Sequence, residues 1–173
     1  MRYIFSILIL VFASSIVLSQ ELKIVDRDGF SIAFPSNWEE KEMPGHLIYI
    51  MESDKESEGY LLTLGVQVTK EKETLEEFIK RYEHDLLNNT TYKDCKIELK
   101  KEISSGGKKG MRYFCHAIAA HIPIEIISFA IEHDGQIILT TATAFWLDPS
   151  KKTTDFILLF NTIEKILNSI KVA

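Results

Sequence analysis

The sequence predicts an α+β fold. It takes the form of an α/β/α sandwich around a central antiparallel sheet of about six to seven strands, with one helix before a C-terminal meander and one closing helix. Three observations predict it. Four consecutive stretches, Cys95–Ile103, Met111–His121, Pro123–His133 and Gln136–Trp146, read as β-strands separated by turn signals. Shorter stretches of alternating apolar and polar residues precede them. Amphipathic helical patterns lie on either side of the meander in sequence, placed to cover the faces of a sheet.

The chain opens with a targeting signal. Arg2 supplies a positive start, and residues 4–18 form an uncharged apolar run interrupted only by Ser6, Ser14 and Ser15. Val17 and Ser19 suit positions −3 and −1 of a cut after Ser19. The run is shorter than the ~20 apolar residues a membrane helix needs. An uncleaved anchor is the alternative. The expectation is a signal peptide over 1–19, a single domain over 20–173, no membrane span after cleavage, and a periplasmic or secreted destination.

Glu21 to Asp28 reads as a lead-in, and Asp28-Gly29 as a turn. Phe30, Ile32 and Phe34 alternate with Ser31 and Ala33, the pattern of a half-buried strand that Pro35 ends. Ser36-Asn37 then turns the chain and delivers Trp38, an aromatic expected at the core edge. A second strand is expected over 47–52. The acidic stretch 52–59 lacks the spacing of a calcium loop and reads as a solvated hairpin loop. Leu62, Leu64, Val66 and Val68 alternate with Thr63, Gly65, Gln67 and Thr69, a third strand.

Thr74-Leu75-Glu76-Glu77 has the form of a capping box. Behind it Leu75, Phe78, Ile79, Tyr82 and Leu86 fall on one helical face, and Asn88-Asn89 ends the helix. In the meander, Cys95, Ile97, Leu99 and Ile103 face one side and Lys96, Glu98, Lys100 and Glu102 the other. Ser104 to Gly110 is a glycine-lysine turn without the spacing of a phosphate-binding loop. The next strand has a small face of Cys115, Ala117 and Ala119, and Pro123 is expected to break the ladder behind it. Asp134-Gly135 suits a type I′ hairpin turn. Ala142 and Ala144 recur on the last strand, so a helix can approach closely. The sheet is therefore expected to be a covered core rather than an open platform. Asp148-Pro149 starts the closing helix, whose stripe is Phe156, Phe160, Ile163, Leu167 and Ile170, widened by Leu159 and Ile166.

Composition narrows the function classes. The 173 residues are 46% apolar and 26% charged, ordinary for a globular domain with a real core. The formal net charge is −5, or −6 once Arg2 is removed. An acidic chain without a basic block is a poor partner for nucleic acid or anionic membrane surfaces. Nothing in the sequence implies a cofactor, a metal site or a catalytic residue. The five histidines (His46, His84, His116, His121, His133) form no helical His-x-x-x-His pair, and no Cys-x-x-Cys pair exists. His116 and His121 are an odd number apart on one predicted strand, so they point to opposite faces. No serine sits in a Gly-x-Ser-x-Gly elbow.

Cys95 and Cys115 are the most specific pair. If the first hairpin turns near residue 105, they sit opposite each other on one face, with Cβ atoms ~4.5–5.5 Å apart. That is within reach of a disulfide worth about 3 kcal/mol. Two buried free thiols are the other outcome. Trp38, Tyr49, Tyr60 and Trp146 are candidate binding aromatics if they are exposed.

The segment Gly29-Phe30-Ser31-Ile32-Ala33-Phe34-Pro35-Ser36-Asn37-Trp38, the order of strands, helix, meander and helix, and the closing Ile166-Leu167-Asn168-Ser169-Ile170-Lys171-Val172 resemble the PsbP-like superfamily. That group includes the extrinsic photosystem II subunit, a nuclear Ran-binding relative and many exported bacterial proteins. The resemblance covers nearly the whole mature chain and implies an α/β/α sandwich with a non-enzymatic accessory or binding role. None of the photosystem subunit's ion-retention or docking residues maps onto positions here. The expected function is an exported, non-enzymatic binding or accessory domain acting on an unknown protein or small ligand of the cell envelope. The alternatives are a hydrolase-like enzyme with a site of scattered residues and a structural subunit of an envelope complex.

Overall fold

The computed structural model describes residues 21–27, 30–52, 59–69, 71–105, 107–151, 161–166 and 169–172. The predicted signal peptide, the Asp28-Gly29 turn, most of the acidic loop, and Phe156, Leu159, Phe160 and Leu167 of the closing stripe lie outside the described residues.

In chain order the elements are β1 (Leu22–Arg27), β2 (Phe30–Pro35), β3 (Trp38–Glu40), β4 (Ile48–Glu52), β5 (Leu61–Val68), α1 (Leu75–Asn88), β6 (Tyr92–Ser105), β7 (Lys108–Ala119), β8 (Ile122–His133), β9 (Gln136–Phe145) and β10 (Lys171–Val172). A short 3₁₀ turn covers Pro149–Lys151, and residues 161–166 are helical. Seven strands form one antiparallel sheet in the order β3-β4-β5-β9-β8-β7-β6, and β1, β2 and β10 form a second, small one. The predicted α+β sandwich is thus present. One of its outer layers is a helix and the other a helical segment beside the three-stranded sheet.

Alternation assigns the two faces of the large sheet. Leu62, Leu64 and Val66 of β5, Ile127 and Phe129 of β8, and Ala142 and Ala144 of β9 point to one face. There they meet Val25, Ile32 and Phe34 of the small sheet and Ile163, Ile166 and Ile170 of the C-terminal segment. On the other face Leu86 of α1 packs on Met111, Tyr113, Cys115, Ala117 and Ala119 of β7 and on Ile124 and Ile126 of β8. Phe78 adds Ala130, Ile137 and Leu139. The small residues of β7 let α1 lie close, as expected, and those of β9 serve the opposite layer.

Helix α1 starts as its sequence dictates. The Thr74 hydroxyl accepts from the Glu77 amide at 3.3 Å, and the Glu77 carboxylate accepts from the Thr74 amide at 2.9 Å. The bonds that Thr74 donates hold the Glu77 carboxyl below its ordinary pKa. The Asp134-Gly135 turn has φ of 52° and 76°, the left-handed pair a type I′ turn requires.

Three details depart from expectation. Pro123 does not break the ladder. It is paired with Ile118, and its carbonyl accepts from the Trp146 amide at 3.0 Å. The turn before it is Ala120-His121, both at positive φ (48° and 70°), so β7 ends at Ala119 and His121 sits in the turn, not on the strand. The first hairpin turns after Ser105, paired with Lys108, and two register shifts interrupt β6, between Lys93 and Lys96 and between Ile97 and Leu99. Asp94, at φ 50°, lies in the first of them.

Candidate functional site

One helix cannot cover seven strands. At ~4.8 Å per strand the sheet is about 29 Å wide, whereas a helix with its side chains spans ~10–12 Å. Helix α1 packs on β6, β7 and β8. Beyond the packing of Phe78 on Ile137 and Leu139 of β9, α1 makes little contact with β4, β5 or β9, and the positions on that face there are Tyr49, Thr63, Gly65, Gln67, Thr141 and Thr143. They alternate with the core residues of the same strands.

These residues form the floor of a cavity of about 350 Å³. Thr63 pairs directly with Thr143 across β5 and β9, and Gly65 with Thr141. Tyr82, Tyr92, Ile126, Leu139 and Phe145 close it on the helix side. His46, from the loop between β3 and β4, closes it on the other. The loop is pinned by the Leu47 amide, which donates to the Val66 carbonyl at 2.7 Å. The His46 ring lies so close over Gly65 that a Cβ there would stand 2.5 Å from His46 Cδ2. Glycine is what lets the loop descend onto the sheet. The His46 ring meets Tyr49 edge-on, with centroids 5.3 Å apart. Its Nδ1 is buried, and no described group hydrogen-bonds to it.

A second cavity, of about 390 Å³, adjoins the first and shares Gln67 and Leu139 with it. Its rim is charged, with Glu71, Lys72, Glu73 and Arg81, and Arg81 Nη2 donates to Glu73 Oε1 at 2.6 Å. The cleft therefore has an inner chamber of rings, hydroxyls and one amide, and an outer mouth carrying both signs of charge.

Two phenols of the inner chamber, Tyr82 and Tyr92, have raised pKa values, as do Tyr113 and Cys115 on strand β7. Burial raises the Tyr82 phenol well above its usual range, although the Tyr82 hydroxyl shares a 2.6 Å hydrogen bond with Ser128 Oγ. Burial also raises Tyr92, and it raises Tyr113, whose hydroxyl donates to Glu83 at 2.8 Å. The Cys115 thiol is pushed up to about 12, by burial first and then by the neighbouring Cys95. Such groups serve as hydrogen-bond donors and packing surface rather than as nucleophiles or bases.

Of the aromatic candidates, Trp38, Tyr60 and Trp146 are 3%, 5% and 1% exposed and belong to the core, so they offer no binding patch. Their size and apolar bodies draw them inside. Tyr49 is half-buried and lines the cleft. Cys95 and Cys115 are both free thiols in this structure. The register shifts place Ile97, not Cys95, across from Cys115, which corrects the expected pairing. Among the described residues no three His, Cys, Asp or Glu side chains converge as metal ligands, and no helix is long and apolar enough to cross a membrane. His116 instead faces the buried Glu125, with Nδ1 and Oε1 3.2 Å apart. Glu125 also accepts from Trp146 Nε1 at 3.1 Å, an arrangement on the face away from the cleft.

The chain matches no family model and no curated protein. Solved structures are similar in fold. The solution structure of cyanobacterial PsbP (CyanoP) from Synechocystis sp. PCC 6803 aligns with a TM-score of 0.61 at 10% identity, over 89% of this chain and 94% of that one. The Saccharomyces cerevisiae Ran-binding protein Mog1p aligns at 0.62 and 10%, over 89% and 96%. LpqN of Mycobacterium tuberculosis, involved in cell envelope biogenesis, aligns at 0.61 and 10%, over 88% and 91%. The chain has the PsbP-like fold, as its sequence resemblance implies. At these identities the likeness concerns the fold alone.

Proposed function

We propose that the chain is an exported, non-enzymatic binding domain of the cell envelope, a single domain over 20–173, and that the cleft over β4, β5 and β9 is its binding site. The observation that carries the proposal is a run of small and polar residues on the paired strands β5 and β9 that faces a cavity of about 350 Å³ instead of an apolar layer. Thr63, Gly65, Thr141 and Thr143 occupy positions where a buried face would hold valine or isoleucine. A concave site with a few converging polar groups is the usual form of a small-ligand pocket. Export is supported by Arg2 and the apolar run over 4–18. A role in the envelope is in keeping with that of LpqN, which shares the fold. A binding role is favoured over a hydrolytic one because burial holds the phenols and thiols near the cleft in their neutral forms.

The test is native mass spectrometry of the protein purified from its own cells. The wild type carries a non-covalently bound small molecule, and Thr141→Phe, which fills the floor of the cleft, does not. Equal occupancy in both proteins, or no adduct in the wild type, contradicts the proposal.

A further inference from the structure

We propose that the inner chamber binds an uncharged saccharide ring, an inference that rests on the cleft being the binding site and names its ligand class. Among the described residues, no Asp, Glu, Lys or Arg side chain lines the chamber. A carboxylate, phosphate or ammonium group entering it would lose hydration and gain no counterion. The ligand portion held there is therefore neutral.

Two features specify what kind of neutral group. The floor is a cluster of hydroxyls, with Thr63 beside Thr143 on paired strands and Thr141 next along β9. Each threonine hydroxyl both donates and accepts, which matches the hydroxyls of a sugar, themselves donors and acceptors. The walls are rings, with Tyr49, Tyr92 and Phe145 presenting apolar surface to the cavity. A pyranose has the complementary surfaces, C–H groups on its faces and hydroxyls around its rim.

The ring geometry disfavours a planar heteroaromatic ligand, which needs parallel faces to slot between. His46 and Tyr49, which both line the chamber, meet at 66°. Tyr82 at the chamber wall already stacks on Phe78 of the adjoining cavity, at 14°. A quaternary ammonium ion suits rings alone and would make no use of the threonine hydroxyls. The volume, about 350 Å³, lies near the lower end of the ~300–1,000 Å³ usual for ligand pockets and suits a small ring compound.

The experiment is a heteronuclear NMR titration of the full protein with methyl β-glucoside and methyl β-N-acetylglucosaminide. Tetramethylammonium chloride and adenosine serve as counter-probes. The proposal expects saturable shifts at Thr63, Gly65, Thr141 and Thr143 with a glycoside and none there with the counter-probes. Thr141→Val, which keeps the shape and removes the hydroxyl, should weaken glycoside binding about tenfold. Thermal unfolding confirms that the variant is folded, and Tyr49→Ala replaces it if it is not. Shifts at these residues with a counter-probe only would overturn the ligand class and leave the cleft standing as the site. Glycoside shifts confined to another surface and unchanged in Thr141→Val would overturn both. The absence of any glycoside shift overturns the class.

Discussion

Gly65→Ala is the substitution that separates the cleft from the core. An added Cβ would stand 2.5 Å from His46 Cδ2 and 2.8 Å from Nε2. Carbon pairs rest at ~3.5–4.0 Å, so the imidazole must move by about 1 Å. It can do so because it is the end of a side chain on the loop between β3 and β4. Overpacking a rigid core costs ~1–3 kcal/mol. Here most of that strain is relieved by the moving ring. Replacing glycine inside a strand also recovers about 0.5–1 kcal/mol of backbone entropy. The two effects nearly cancel, and stability should stay within about 1 kcal/mol of the wild type, a shift in Tm of about 2–4 °C. The His46 ring resonances should shift strongly, together with those of Tyr49, which the ring meets edge-on. Thermal unfolding and imidazole NMR read the two quantities separately. Unmoved His46 resonances, or a loss beyond about 3 kcal/mol, would refute the reasoning by making His46 part of the rigid core.

Three further outcomes follow from the interior. Glu125→Ala removes the acceptor of the buried Trp146 Nε1–H and should cost ~1–3 kcal/mol in urea unfolding, whereas Glu125→Gln keeps an acceptor oxygen and should lose less. Wild-type stability in both would exclude that bond as a stabilising one. The Tyr82 and Cys115 pKa values are raised on folding, so their contribution is complete below the unfolded values and is lost as pH rises toward the folded ones. The urea midpoint should therefore hold up to the ordinary thiol value of 9.0 and fall above it. A midpoint that rises in that range would contradict the sign. The β6–β7 register predicts two free thiols, so the unreduced chain should have the same mass as the reduced one, with Cys95 alkylated faster than the buried Cys115. A chain two hydrogens lighter would show a bridge.

How much of this was legible in the sequence varies by element. The meander was readable because each strand is long and its turns carry signals, Asp134-Gly135 above all. The capping box located the start of α1. The strands β1 and β10 were not readable. In β1 only Val25 is buried, so there is no alternation to find, and β10 has two residues. The pairing of Cys95 failed because a bulge has no strong local signature. Asp94 at positive φ was the one residue type that hinted at it. The floor of the cleft was visible as the alternation of Leu62, Leu64 and Val66 with Thr63, Gly65 and Gln67. That this polar face borders a cavity was not visible, because it depends on where α1 comes to rest on a wide sheet. His46 carried no signal at all, since its place over Gly65 is set by the fold of a loop. Of the aromatics considered from sequence, Trp38 packs in the core, in keeping with its expected place at the core edge, and Tyr60 and Trp146 join it because nothing local distinguishes a buried aromatic from an exposed one.

Hydroxyl-radical footprinting tests the central claim, that function lies in the cleft, and it works with whatever ligand the cell supplies. The protein is oxidised once in its native envelope preparation and once after purification and extensive dialysis. The account predicts that Tyr49 and Tyr92, which line the chamber, are protected in the native preparation and become reactive after dialysis, while the exposed Leu22 and Ile24 of β1 react equally in both. Protection at Leu22 and Ile24 with Tyr49 and Tyr92 unchanged would contradict it.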